Sequence, residues 1–196
     1  MLRKKLLYWC IFPIAYFLFP VSANALPGET AEDVAAWIKG HHTLRPKIGE
    51  TLSIRRSDTP AHRFIFEASV QPAGIATALV DKDVIRSERI DLFDMINGIT
   101  PNRLKESLRV IYGLDIYQDF ERAQLVYAYP SEETVREARS QAMPLQEALQ
   151  GELRLGNRFA YWLEIAQPRQ GKPIIGQITV LLKNDLDRLE AQLRNR

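Results

Sequence analysis

The chain predicts an α+β domain, a single unit built on a mainly antiparallel sheet with helices packed on one face. Three observations carry this expectation. Phe159, Tyr161, Leu163 and Ile165 recur at a spacing of two, the repeat of a strand that buries one face. After Gln167-Pro168-Arg169-Gln170-Gly171-Lys172-Pro173 the alternation returns in Ile174, Ile178, Val180 and Leu182, so the two runs read as an antiparallel pair. Finally, strand-like runs elsewhere are not interleaved regularly with helices, which favours an antiparallel sheet over a doubly wound parallel one.

The elements follow in order. Leu26-Pro27-Gly28-Glu29 is a lead-in. Thr30 is a capping hydroxyl, with Asp33 three residues on, and Val34, Trp37 and Ile38 share one helical face. Gly40 is expected to stop this helix in the left-handed conformation. His41 to Pro46 connects to two strands, Lys47–Arg56 and Arg63–Val70, around the turn Ser57-Asp58-Thr59-Pro60. Phe64-Ile65-Phe66 is apolar on both sides, as a central strand would be. Gly74–Val80 reads as a short strand, Asp81-Lys82-Asp83 as a turn, and Val84–Phe93, whose alternation is less clean, as an edge strand.

Thr100-Pro101 starts a helix through a capping hydroxyl and a proline in the first turn, and Leu104, Leu108 and Ile111 continue it to Gly113. A strand is expected from Arg122 to Tyr129, stopping at Pro130. Ser131 opens a helix over Glu132–Ala142, with Glu132 and Glu133 at its positive end. Pro144 breaks it, and Leu145–Leu149 reads as a separate turn before Gly151. After the Arg158–Leu182 hairpin comes a helix from about Asp185, striped by Leu186, Leu189 and Leu193.

The first 25 residues read as an address. Arg3, Lys4 and Lys5 precede the apolar run Leu6–Phe19, and Ala23-Asn24-Ala25 matches a signal-peptidase site, giving 1–25 as a cleaved leader and 26–196 as the domain. An uncleaved anchor is the rival reading. Extended to Val21 the run covers 16 residues, short of the roughly 20 that span a bilayer, and Pro13 and Pro20 interrupt it. The chain has 26 Lys+Arg and 24 Asp+Glu, and the leader takes three cations and no acid, leaving 23 against 24. The basic pI of about 8.7 therefore argues nothing for nucleic acid. Cys10, the one cysteine, leaves with the leader. A thiol-free domain suits an oxidising compartment without depending on disulfides.

No catalytic signature is present. No serine lies in G-x-S-x-G or S-x-x-K, and only His41, His42 and His62 would serve as an imidazole base. His41 and His42 are expected to point apart in extended chain, with His62 remote, so no metal site is predicted. Asp81-Lys82-Asp83 and Asp185-Leu186-Asp187 lack the rest of a calcium loop. Phosphate-cradling glycine loops are absent, and no cofactor is implied.

Two features stand out. Tyr127, Tyr129, Tyr161 and Trp162, with Tyr112 and Tyr117, are aromatic rings with polar tips, which suit a ligand cleft or protein contact and suit a sheet–helix core equally well. Arg55 and Arg63 belong to an early basic bias and would form an anion- or membrane-facing patch if the hairpin turn brings them together; solvated strand ends are the alternative.

The segment Leu26-Pro27-Gly28-Glu29-Thr30, with Val34, Trp37-Ile38-Lys39 and Leu44-Arg45-Pro46, resembles the mature start of uncharacterised exported proteins of cyanobacteria. The resemblance spans some twenty residues, implies a periplasm or thylakoid lumen, and transfers no catalytic residue. The expectation is an extracytoplasmic binding protein. It would hold an apolar or amphiphilic ligand between sheet and helices near Trp162 and Tyr127, or contact a protein or the membrane surface. A periplasmic hydrolase and a subunit of a membrane-associated complex are the alternatives.

Overall fold

The computed structural model describes residues 26–74 and 83–196; the leader, all but Gly74 of the strand expected at Gly74–Val80 and the start of the turn after it lie outside the described residues. The elements are α1 (Ala31–Gly40), β1 (Ser53–Thr59), β2 (His62–Ser69), β3 (Ser87–Asp94), α2 (Pro101–Tyr112), α3 (Leu114–Arg122), β4 (Gln124–Tyr129), α4 (Glu132–Ser140), α5 (Pro144–Ala148), β5 (Leu149–Leu155), β6 (Ala160–Ala166), β7 (Ile175–Leu181) and α6 (Leu186–Arg194). The strands form one sheet in the order β1-β2-β3-β7-β6-β5-β4, every pairing antiparallel. The α+β architecture is the expected one, and β6 and β7 are the expected hairpin, paired from Ala160↔Leu181 to Ala166↔Ile175.

Period-two alternation divides the side chains between two cores. Ile54, Phe66, Ile90, Ile178, Tyr161 and Leu163 pack against Val34 and Ile38 of α1, Leu104, Leu108 and Ile111 of α2, and Ile116 and Phe120 of α3. On the opposite face Leu153, Ala160, Trp162 and Leu181 pack against Leu186, Leu189 and Leu193 of α6. Helices thus lie on both faces rather than one. The reason is that the second face carries its own apolar group, Leu153, Ala160, Trp162 and Leu181, and α6 covers it with three leucines worth roughly 1.5–3 kcal/mol each.

The capping hydroxyls act as expected. Thr30 accepts the Asp33 amide at 3.1 Å, Thr100 the Arg103 amide at 3.3 Å and Ser131 the Thr134 amide at 3.1 Å. Gly113, at φ +85°, ends α2 and starts α3 without a break. Gly40 does not take the expected left-handed turn; α1 ends on extended His41.

Four strand expectations need correction. Lys47–Leu52 is not strand: a turn forms there because the Glu50 carboxylate accepts the Lys47 and Arg55 amides, at 2.7 and 3.1 Å. β1 runs to Thr59, paired with His62, so the reversal falls at Pro60-Ala61. β3 is no edge strand; it lies between β2 and β7. Its alternation looks ragged because Glu88 points into the core while Arg89 and Asp91 pair on the other face. Leu149–Leu155 is a full strand between β4 and β6, whereas the sequence reads as a turn over Leu145–Leu149 with no strand from there to Arg158.

Candidate functional site

Register places three of the six predicted residues together. On the face shared with α6, one row crosses the whole sheet through Arg55, Ile65, Asp91, Gln177, Glu164, Gly151 and Tyr129, each opposite the next. The neighbouring row carries Trp162, Leu153 and Tyr127. Gly151 leaves a gap that the Tyr129 ring fills, and a Cβ there would sit 2.3 Å from the phenol oxygen. Tyr129 therefore reaches over β5, donates to Glu164 Oε2 at 2.5 Å, and accepts the Trp162 indole N–H at 2.8 Å.

Glu164 gathers two further donors. Arg196 Nη1 donates to Oε2 at 2.6 Å and Gln177 Nε2 to Oε1 at 3.2 Å. The Arg196 guanidinium lies 5.1 Å from the centre of the Trp162 ring, and that of Arg194 lies 4.2 Å from Tyr127. Burial, then the bond to Glu164, raises the Tyr129 phenol well above its ordinary value, so it remains a donor at any working pH. Beside this cluster an open groove of about 820 Å³ runs between the end of α6 and the sheet, lined by Arg89, Trp162, Glu164, Gln177, Leu189 and Arg196. The cleft between Tyr127, Tyr129 and Leu193 holds only about 90 Å³. Where the enclosed ligand was expected, Trp162 is 6% exposed and packed with Leu189 and Leu193.

The other three residues do not join them. Tyr161 points to the opposite face, fully buried, where its hydroxyl donates to Asp119 at 2.7 Å and its ring meets Phe120 edge-on. Arg55 and Arg63 lie on the α6 face at the far strands, with Arg63 over the Phe93 ring at 5.1 Å. Six strand spacings separate Arg55 from Tyr129, roughly 29 Å. Arg55 and Arg63 are diagonal neighbours on paired strands, apart from the aromatic cluster. Glu164, Gln177 and Arg196 were not singled out from the sequence; the period-two position of Glu164 beside Trp162 was the available signal.

A second polar centre lies in the other core. Glu88 is fully buried, and the Tyr112 hydroxyl lies next to it, yet neither finds a well-directed hydrogen-bond partner among the described residues. Desolvation pushes the Glu88 carboxyl up to about 7, so it is substantially protonated near neutrality. Outside it, Trp37 stacks parallel to Tyr112 at 6.3 Å, and a pocket of about 300 Å³ opens between Trp37, His41, Tyr112 and Arg158. His41 is not a free base there. Nε2 bonds the Ile111 carbonyl at 3.0 Å and Nδ1 faces the Thr43 and Leu44 amides, each at 3.3 Å, which makes it a neutral linker; burial lowers its pKa accordingly. The His41 and His42 rings, expected to point apart, stack at 5.1 Å because the chain turns there. Among the described residues no group of three or more His, Cys, Asp or Glu side chains is placed to hold a metal ion, and no helix is long and apolar enough to cross a membrane.

No protein-family model matches the chain, and no curated protein or solved structure shows significant similarity to it.

Proposed function

We propose that this chain is an extracytoplasmic binding domain that takes an acidic amphiphile, a carboxylate or phosphate head on an apolar body, in the groove between α6 and the sheet. The observation that carries the reading is the lining of that groove. Arg89, Arg188 and Arg196 line it, Arg89 paired with Glu67 and Asp91 and Arg196 with Glu164, beside an apolar floor of Trp162 and Leu189. Arginine forks suit a carboxylate or phosphate head, and the indole and leucine suit the chain attached to it. Each polar group at Glu164 already has a partner within the site, so the cluster is preorganised and lacks a free nucleophile or base. The cationic start Arg3-Lys4-Lys5, the apolar run Leu6–Phe19 and Ala23-Asn24-Ala25, with no cysteine beyond residue 25, support a role outside the cytoplasm.

Titration of ¹⁵N-labelled protein with decanoate and with decyl phosphate tests the reading. Shifts are expected at the Trp162 indole N–H and the Gln177 and Gln192 side-chain amides, with Arg196→Ala weakening binding by roughly tenfold. An absence of shifts at millimolar probe, or shifts confined to the Trp37–Tyr112 pocket, overturns it. Fractionation of the native host tests the location: protein retained in the cytosol with Met1–Ala25 attached contradicts it.

A further inference from the structure

The two ends of the sheet are finished differently. At β1, residues 44–50 wrap along the edge. Glu50 accepts the outward-facing Arg55 amide at 3.1 Å and Arg56 Nη1 at 3.0 Å, and the Arg56 guanidinium also bonds the Leu44 and Arg45 carbonyls. Exposed Arg55 and Asp58 add charge to that edge. These are the devices by which sheets refuse another strand.

At β4 little of this is present. Gln124-Leu125-Val126-Tyr127-Ala128-Tyr129 holds no charged residue and no proline. Its backbone pairs with β5 on one side, and among the described residues no backbone group bonds it on the other. Gln124 and Ala128 are exposed, and Leu125 keeps half of its surface in water, at 50%. The one irregularity is a bulge between Leu125 and Tyr127. The charges stand just beyond the strand and are of opposite sign: Arg122 before it, Glu132 and Glu133 after it, all exposed and none in an ion pair among the described residues.

We propose that β4 pairs antiparallel with β4 of a second copy of this chain about a two-fold axis, joining two seven-stranded sheets into one. The flanking charges select this partner and this direction. With Gln124 opposite Tyr129 of the second copy, the end of α3 that carries Arg122 comes to the start of α4 of that copy, which carries Glu132 and Glu133, and the two-fold axis repeats the contact at the other end. A parallel arrangement would set Arg122 against its own copy and the glutamates against theirs. The contact adds main-chain hydrogen bonds and covers Leu125, but it is narrow, so the dimer is weak and depends on concentration.

Sedimentation equilibrium of the full chain from micromolar to near-millimolar concentration tests this, with amide exchange read at the same concentrations. The expected result is a monomer–dimer equilibrium that weakens with added salt, with amides of Leu125–Ala128 gaining protection as the dimer forms. Arg122→Glu is expected to weaken association by roughly tenfold. Combining it with Glu132→Arg and Glu133→Arg restores association, and Arg55→Glu leaves it unchanged. A monomer at every concentration overturns the proposal, even if the edge accepts some other strand. So does a dimer that leaves the β4 amides unprotected or ignores Arg122→Glu.

Discussion

Tyr129 and Glu164 stand on strands separated by β5 and are nevertheless hydrogen-bonded at 2.5 Å, because the residue between them in the row is Gly151. The site depends on a side chain that is absent. Gly151→Ala would place a methyl 2.3 Å from the phenol oxygen and 2.8 Å from the Leu163 carbonyl, so the ring must leave Glu164 and release the Trp162 indole. A loss of roughly 2–3 kcal/mol is expected from overpacking plus the stranded polar groups. Urea unfolding monitored by tryptophan fluorescence checks it, and an unchanged midpoint contradicts it.

Glu88 supplies a pH dependence with a definite sign. Its folded-state carboxyl titrates near 7 against an ordinary 4.5, so between these values the folded chain holds a proton that the unfolded chain has lost. This contribution is harmless below about pH 4.5 and costs stability progressively as pH rises toward 7, about 3 kcal/mol in all. Glu88→Gln removes the ionisation and is expected to be more stable than the parent at about pH 8 but similar at about pH 4.5. Denaturant midpoints at the two pH values give the comparison; equal gaps at both would refute the assignment.

His41 acts in the opposite direction. Its pKa is lowered by burial, so the folded state disfavours the proton that the unfolded imidazole takes up below its ordinary 6.5. Stability from this residue is complete above 6.5 and is lost as pH falls toward the depressed value. In proton NMR the His41 ring is expected to stay neutral at a pH where an unfolded histidine is mostly charged. Titration at the ordinary value would contradict the bonds assigned to its two nitrogens.

Asp119 binds the turn before β6 to α3. Its buried carboxylate faces the amides of Asn157, Arg158 and Phe159 at 2.9–3.4 Å and takes the Tyr161 hydroxyl at 2.7 Å. Asp119→Ala strands these donors, and a cost of about 3 kcal/mol is expected. Faster amide exchange at Asn157–Phe159 would locate the damage there; loss without that local signature would mean that the carboxylate acts elsewhere.

Local rules made much of this fold legible. The β6–β7 hairpin announces itself through spacing two on both sides of a Pro/Gly turn, and Thr30, Thr100 and Ser131 mark helix starts by hydroxyls that do cap them. What stayed hidden was decided by neighbours distant in sequence. β5 contains a glycine and no β-branched residue, and it is a strand because β4 and β6 pair with it on both sides. α3 begins directly after Gly113, where only Ile116 and Phe120 mark a buried face. β3 is taken for an edge because a carboxylate in the core, Glu88, resembles a solvated one in the sequence. At the site, Tyr127, Tyr129 and Trp162 stand out as aromatics. Their acidic centre does not, since Arg196 reaches Glu164 only after α6 folds back across the sheet.

The carboxylate that Glu50 lays along β1 has a consequence for growth. A building block able to add neighbours at both flanks elongates without limit, whereas one stoppered on a single flank is consumed by its first addition. With Arg55 N–H already occupied, the proposed pairing at β4 makes this molecule one of the second kind. Fibrils built by successive strand addition are closed to it for as long as that acid keeps its place.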